Sequence, residues 1–197
     1  MQIAADKTMC WSLSSNDPRR DARALGGEAA HRLSRVSSPT SSRAASLREL
    51  LEQHVVELFA TLRPLSQEQW ALLCPREGWP VGYVAHHIGQ GIARPTGWIE
   101  QALAGDDPFD FTWEVTHELN ARRSQRLGLP SKDEALTFVR VTASHLADLI
   151  GSLTDAQLDV IGFRQRSFSG SIEWIARLVV RHIDEHHAGI RAGLTPT

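Results

Sequence analysis

The sequence contains little cysteine and no long apolar run. Cys10 and Cys74 are its only cysteines, so neither a disulfide framework nor a CxxC metal motif can form, and a reducing compartment fits this composition best. No apolar stretch approaches the roughly 18 residues that a membrane span needs. The first residues also lack the apolar segment of a secretory signal peptide. These absences predict a cytoplasmic protein without a membrane partner.

Lysine is almost absent too, and the basic residues are unevenly placed. Lys7 and Lys132 are the only lysines, and the formal net charge is −2. Residues 1–43 carry 7 basic and 4 acidic side chains, which leaves 14 basic and 19 acidic ones, a net charge of −5, for the remainder. Proteins that bind nucleic acids concentrate Lys and Arg on one face. The acidic remainder therefore predicts a small-molecule partner and no nucleic acid.

Signals for β-strands are missing, since the chain shows no sustained alternation of apolar and polar residues and no Asn-Gly or Asp-Gly turn. Apolar residues instead recur at helical spacing in several segments, and Ser46 is the predicted N-cap of the first. Capping boxes mark further helix starts: Ser66 with Gln69, Ser131 with Glu134, and Thr154 with Gln157. The pattern predicts an all-α protein, an antiparallel four-helix bundle with a short extra helix.

The chain of 197 residues, 42% of them hydrophobic, is long enough for one globular domain. We assign this domain to residues 44–197. Residues 1–43 are rich in Ser, Arg, Ala and Gly and show no sustained period, which predicts a disordered N-terminal tail. An organelle transit peptide is the alternative for this stretch, although its acidic residues argue against one.

Three histidines fall on the apolar sides of two predicted helices. His182 and His186 lie one turn apart in the last helix, and His87 follows Val84 by three residues in an earlier one. Two imidazoles one turn apart can converge on one ion, because each metal–nitrogen bond spans only about 2.1 Å. A single interior histidine is more often structural. Three inward imidazoles favour a divalent metal with at least one open position, as in catalytic sites.

The last ligand and the motif around it leave alternatives open. His186 is followed by His187, and helical spacing from His182 favours His186 without excluding its neighbour. The segment HIDEH also matches the H-x-x-E-H pattern of a group of peptidases, in which Glu185 would be a general base. That resemblance implies a further carboxylate ligand well downstream, and only 11 residues follow His186. We therefore prefer the three-histidine interpretation.

Other polar residues are candidates for contacts with a ligand. Asn120, Arg122 and Arg123 could reach a carboxylate from the helix that follows residue 112, and a solvated charged face is the simpler interpretation of the same residues. A pocket above the metal would indicate an enzyme, and a sealed metal a binding module. The predicted lining of such a pocket is Trp79, Trp98, Trp113 or His117.

Two segments resemble the motifs of a known family. GWPVGYVAHHIG is similar to the N-terminal motif of the DinB-like superfamily, in a register that selects His87 over His86, and VVRHIDEHHAGIR is similar to its closing motif. HELNARR resembles a third segment often found between them, so the likeness spans about residues 47–194. Pro80 departs from the usual Thr or Ser after the Trp. The resemblance implies a four-helix bundle, often dimeric, with a metal centre at His87, His182 and His186.

The same resemblance implies chemistry. Members similar to mycothiol-dependent maleylpyruvate isomerase use their metal to activate a low-molecular-weight thiol. We therefore expect a metal-dependent S-transferase or isomerase that uses Zn or Ni and a thiol such as mycothiol, bacillithiol or glutathione. The alternative is a non-catalytic metal-binding bundle, stress-related or serving dimerisation. A third interpretation has no metal, with the histidines as core and boundary residues.

Overall fold

The computed structural model describes residues 41–195, which contain seven helices and five short strands. The helices are α1 (Ser42–Leu62), α2 (Gln67–Trp70), α3 (Val81–Leu103), α4 (Trp113–Leu127), α5 (Lys132–Gly151), α6 (Asp155–Leu158) and α7 (Ile172–Leu194). The strands are β1 (Leu73–Cys74), β2 (Trp79–Pro80), β3 (Phe109–Asp110), β4 (Ile161–Gln165) and β5 (Phe168–Ser171).

Four long helices form the bundle predicted from the apolar periodicity. Helices α1 and α3 each pack against both α5 and α7, and their inward faces bury a continuous apolar core. Each helix contributes a stripe at helical spacing to this core: Leu47, Leu51 and Leu58; Val84, Ile88 and Ile92; Val139, Leu146 and Ile150; Ile175, Val179 and Ile183. The antiparallel order of the helices stays a prediction. None of the helices between residues 41 and 195 combines the length and hydropathy of a membrane span.

Helix α1 begins earlier than the sequence pattern predicts. Ser41, not Ser46, is its N-cap, and the Ser41 hydroxyl accepts a backbone N–H from the first turn. Arg43 forms a 2.7 Å ion pair with Asp159, the C-cap residue of α6. The predicted tail otherwise falls in residues 1–40, which lie outside the described part of the chain.

The three predicted capping boxes are all present, and they begin α2, α5 and α6.

The segment predicted as a helix after residue 112 is confirmed as α4, but this helix does not belong to the bundle core. None of its side chains is buried. It therefore lies along the surface, where its inner side can form one wall of a cavity.

The prediction of a strictly all-α fold was wrong, because the described residues contain two small sheets. Strands β1 and β2 form an antiparallel hairpin, and β4 pairs with β3 in parallel and with β5 antiparallel. The strands have two to five residues, too few for an alternation to be visible in the sequence. The β4–β5 turn uses Arg166 at a φ of 52°, without the Asn-Gly or Asp-Gly signal of common hairpins.

The β1–β2 hairpin sets the start of α3. Pro80 is the N-cap residue of α3, and its side chain makes no capping hydrogen bond. The Thr or Ser that is usual at this position of the motif has a hydroxyl that could accept one. The backbone N–H of Val81 instead donates to the carbonyl of Leu72, at 2.8 Å. The hairpin thereby holds residues 77–79 at the N-terminal end of α3.

Candidate metal centre

The structure brings His87, His182 and His186 together at the contact between α3 and α7. One nitrogen from each ring lies within 4.8 Å of the corresponding nitrogens of the other two. The ring centroids are 4.5 Å apart for the pair on α7, and 5.1 and 4.9 Å from His87 to each member of that pair. Nitrogens so close can face one ion, because each metal–nitrogen bond spans about 2.1 Å.

Burial favours the uncharged form of all three rings. It lowers the pKa of His87 to about 4, with a smaller contribution from the charge of His186. The pKa of His182 lies well below its ordinary value for the same reason. Burial also lowers the pKa of His186, although the neighbouring Glu77 acts in the opposite direction. Neutral imidazoles keep a lone pair, which is what a divalent ion requires at neutral pH.

Two nitrogens of the cluster lack a partner among the described residues. His87 Nδ1 and His182 Nε2 are buried and neither makes a hydrogen bond. An unsatisfied buried polar group costs about 1–3 kcal/mol. A divalent ion would be bonded by one nitrogen from each ring, so the donor set fits such an ion. That an ion binds here stays a prediction.

Two glycines give the cluster its room. A Cβ atom at Gly91, one turn after His87, would overlap the imidazole of His182. A Cβ atom at Gly189 would come within 2.7 Å of both carboxylate oxygens of Glu77. Because contacts this short do not occur between real side chains, both positions need glycine for α3, α7 and the hairpin to approach as they do.

Glu77 holds His186 in place, and no sequence pattern predicts it. Its Oε1 lies 2.9 Å from His186 Nδ1, and its side chain is 6% exposed. An Nδ1–H that donates to this carboxylate leaves the opposite nitrogen of the ring for the cluster. Carboxylate–histidine pairs of this kind orient metal-binding imidazoles in many proteins. Residue 77 lies in the turn of the β1–β2 hairpin, where helical periodicity carries no information.

The histidines next in sequence face other neighbours. His187 is buried against α1, where its Nε2 lies 2.8 Å from the Thr61 hydroxyl. His86 stacks on Phe138, with a centroid distance of 4.8 Å. The cluster therefore contains His87 and His186, in the register that the family motif and the helical spacing favour.

Glu185 does not take the position that the peptidase interpretation needs. It is paired with Arg76 at 3.6 Å, and its side chain is 49% exposed. The cluster in residues 41–195 contains three imidazoles and no carboxylate. The H-x-x-E-H pattern implies a carboxylate ligand downstream of the pair. The third member of this cluster is instead a histidine upstream of the pair, His87 on α3.

The histidines form part of the wall of a cavity of about 420 Å³. Its lining includes all four predicted residues, Trp79, Trp98, Trp113 and His117. Asn120 and Arg123 also face it from α4, whereas Arg122 is exposed and pairs with Glu118 at 2.5 Å. The solvated-face interpretation thus holds for Arg122 and not for Arg123. A metal in the cluster would face a space of the size that small-molecule ligands occupy.

Arg94 completes this cavity wall and was not among the predicted residues. It stands seven residues after His87 on α3. Seven residues are about two helical turns, so both side chains lie on one side of the helix. The sequence contains this spacing, but the spacing indicates that Arg94 lines a cavity only when His87 is known to face one.

Comparison with known proteins gives the family. The model of the DinB superfamily matches residues 50–190. Among solved structures, the chain is similar to YfiT from Bacillus subtilis, described as a probable metal-dependent hydrolase with an unusual four-helix bundle topology. The two are 17% identical with a TM-score of 0.63, and the match covers 78% of this chain and 87% of that one. No curated protein matches. Because the family match spans more than half of the sequence, this chain belongs to the DinB superfamily.

Proposed function

We propose that this protein is a metal-dependent enzyme whose three-histidine centre activates a low-molecular-weight thiol for S-transfer or isomerisation of a small molecule. The observation that carries the proposal is the position of His87, His182 and His186 in the wall of a 420 Å³ cavity. Three protein ligands leave a position of a divalent ion open. A non-catalytic metal-binding bundle would need neither the cavity nor its aromatic lining.

The residues of the chain have separable roles in this proposal. His87, His182 and His186 would hold the ion, with Zn or Ni the best-suited candidates for imidazole ligands. When bound, the ion would supply Lewis-acid chemistry, lowering the pKa of a thiol or a water that enters the open position. Glu77 orients His186 through the 2.9 Å hydrogen bond to its Nδ1. The tryptophans around the cavity would exclude water from an apolar substrate.

The thiol has to come from outside the described part of the chain. Cys74 is buried, and burial raises its pKa to about 12, so it holds its proton at neutral pH. It is also absent from the lining of the cavity. A soluble thiol such as mycothiol, bacillithiol or glutathione would therefore enter the cavity together with its acceptor. We further propose that the protein is a cytoplasmic homodimer. Light scattering would measure the mass of this dimer.

Hydrolysis is the second candidate, with water in place of the thiol. The same open position would serve it, and the solved structure of YfiT is described as that of a probable metal-dependent hydrolase. The two candidates differ in one requirement: thiol transfer stops when the thiol is omitted, and hydrolysis continues.

The test starts from protein purified without a histidine tag and loaded with Zn or Ni. Elemental analysis would compare the native chain with His87→Ala and His182→Ala, and with His145→Ala as control, because His145 is exposed and pairs with Glu100. The loaded proteins would then meet a panel of thiols and electrophiles, and a panel of esters and amides without thiol. Metal-dependent loss of thiol supports the proposal. Turnover without thiol supports hydrolysis, and no turnover in either panel rejects both.

A further inference from the structure

The charges around the cavity are not balanced. Two acidic residues line it and each has a basic partner: Glu77 lies 2.9 Å from His186, and Glu185 lies 3.6 Å from Arg76. Arg76 itself lines the cavity, and so do two further arginines, Arg94 and Arg123. Neither has a carboxylate within 4.0 Å anywhere in residues 41–195. Among the described residues, these two guanidinium groups of the wall therefore have no counter-charge.

The two arginines act on the same space. Arg123 on α4 is partly buried and lines the cavity together with Arg94 on α3. Its charge is close enough to contribute to lowering the pKa of Arg94. Arg94 is itself partly buried on α3, and burial is the larger cause of its lowered pKa. Like charges that share a partly buried space repel each other, and an anion between them removes that repulsion.

Arg122, the neighbour of Arg123 on α4, has different surroundings. Arg122 is exposed and forms its pair with Glu118 one turn away on the same helix. Arg123, one residue further, is directed to the cavity side and has no such partner.

The chemistry of guanidinium groups narrows the ligand. Their planar donors match the two oxygens of a carboxylate, which they bind with two parallel hydrogen bonds. Part of the wall is aromatic: Trp98, Phe111 and Trp113 line the cavity, and Trp113 is edge-on to Phe111 at a centroid distance of 4.9 Å. We propose that Arg94 and Arg123 form a carboxylate-binding subsite, and that the cavity takes a small acid whose apolar part lies on these rings.

This subsite deepens the proposed function and rests on it for the reaction at the histidines. A carboxylate held by Arg94 and Arg123 would leave the other end of the same molecule free to face His87 across the cavity. The carboxylate has two possible sources, the acceptor or the thiol. Both place the same anion on the same two guanidinium groups, so one pair of variants examines both.

The first experiment needs no metal. Calorimetry would compare the binding of phenylacetate and phenylacetamide, which share a shape and differ in charge, to the native protein. We expect the acid to bind at least about tenfold more tightly, the lower end of what charge-assisted hydrogen bonds to two arginines provide. Arg94→Gln and Arg123→Gln should each remove most of this preference, and the matched control Arg122→Gln should keep it.

Equal affinity for acid and amide, no detectable binding of the acid, or a preference that survives both substitutions would overturn the subsite. Folding does not obscure the result, because Arg123 lies on a helix with no buried side chain. If Arg94→Gln melts at a clearly lower temperature, Arg94→Lys takes its place. Lysine keeps the charge but not the planar fork, so the preference should fall and remain measurable.

The second experiment identifies the source of the carboxylate. Zinc-loaded protein would be titrated with N-acetylcysteine and with its uncharged amide. A preference for the acid that disappears in Arg94→Gln and Arg123→Gln assigns the subsite to the thiol. Equal binding of the two thiols, beside a retained preference for phenylacetate, assigns it to the acceptor. Both outcomes support the subsite, and absence of zinc or of thiol turnover would reject the proposed function while leaving the metal-free result standing.

Discussion

Helix α7 carries adjacent histidines that face two different neighbours, and the two regions differ in how their nitrogens are satisfied. Towards α1, His187 is 3% exposed, with its Nε2 2.8 Å from the Thr61 hydroxyl and its Nδ1 3.4 Å from Arg191. Towards α3, His87 Nδ1 and His182 Nε2 are buried without a partner among the described residues.

Burial alone does not distinguish these regions, because it lowers the pKa of His187 as it lowers those of the cluster. The difference lies in the hydrogen bonds. A buried imidazole with partners at both nitrogens is complete and serves packing. A group of neighbouring buried imidazoles with unpaired nitrogens is incomplete and can gain a partner by binding a ligand.

The largest expected effect is on metal content. His182→Ala should reduce the bound metal from near one ion per chain to background, since two imidazoles hold a divalent ion far more weakly than three. His187→Ala should keep its metal and lose stability instead, by about 1–3 kcal/mol. Elemental analysis and denaturant unfolding of both variants measure the two quantities. Loss of metal from His187→Ala alone would reverse the assignment of the two regions.

Acid should destabilise the metal-free protein through the cluster. The pKa of His87 is about 4 in the folded chain against an ordinary value of 6.5, so the unfolded chain binds more protons between these values. The contribution of His87 is therefore fully present above pH 6.5 and is lost as the pH falls towards 4, by about 3 kcal/mol.

Urea unfolding of metal-free protein at a series of pH values measures this loss. In His87→Phe, which keeps a ring without a titrating nitrogen, the free energy of unfolding should fall less steeply across the same interval. An unchanged slope in that variant would show that His87 does not carry the effect.

A smaller effect is expected when the partner of His186 is changed. Glu77→Gln keeps the size of the side chain and removes the charge that holds Nδ1, at 2.9 Å. The affinity for metal should fall about 10- to 100-fold, as is usual for carboxylates behind ligating histidines. Competition with a chelating dye measures it. An unchanged affinity would mean that the charge of Glu77 does not contribute to metal binding.

The smallest effect is expected on the α1 side. Thr61→Ala removes the hydroxyl that contacts His187 and should cost about 1 kcal/mol in the free energy of unfolding. The affinity for metal should remain that of the native chain. Paired with Glu77→Gln in the same two assays, this variant gives the sharpest form of the comparison: one hydrogen-bond partner affects the ligand, and the other affects only stability.

The helices were predictable because each has a local cause. Apolar residues at helical spacing and the capping boxes at Ser66, Ser131 and Thr154 act within a few residues of the chain. Ser41 shows the limit of this approach, since both Ser41 and Ser46 suit an N-cap. Contacts with the distant α6 region, such as the ion pair of Arg43 with Asp159, accompany the earlier start. The strands were not predictable, because β3 exists only through its pairing with the distant β4, and the β4–β5 hairpin turns at Arg166 without an Asn-Gly or Asp-Gly signal.

Local patterns identify the histidines that can act together: His182 and His186 share a helix face by spacing, and the family motif selects His87. The surroundings of these histidines depend on tertiary packing. Glu77 reaches His186 from a hairpin turn 109 residues away in sequence, and Arg94 on α3 and Arg123 on α4 line the same cavity. Helical spacing is a property of one segment, whereas the pairing of charges depends on which segments pack together, and the packing of the whole bundle decides that.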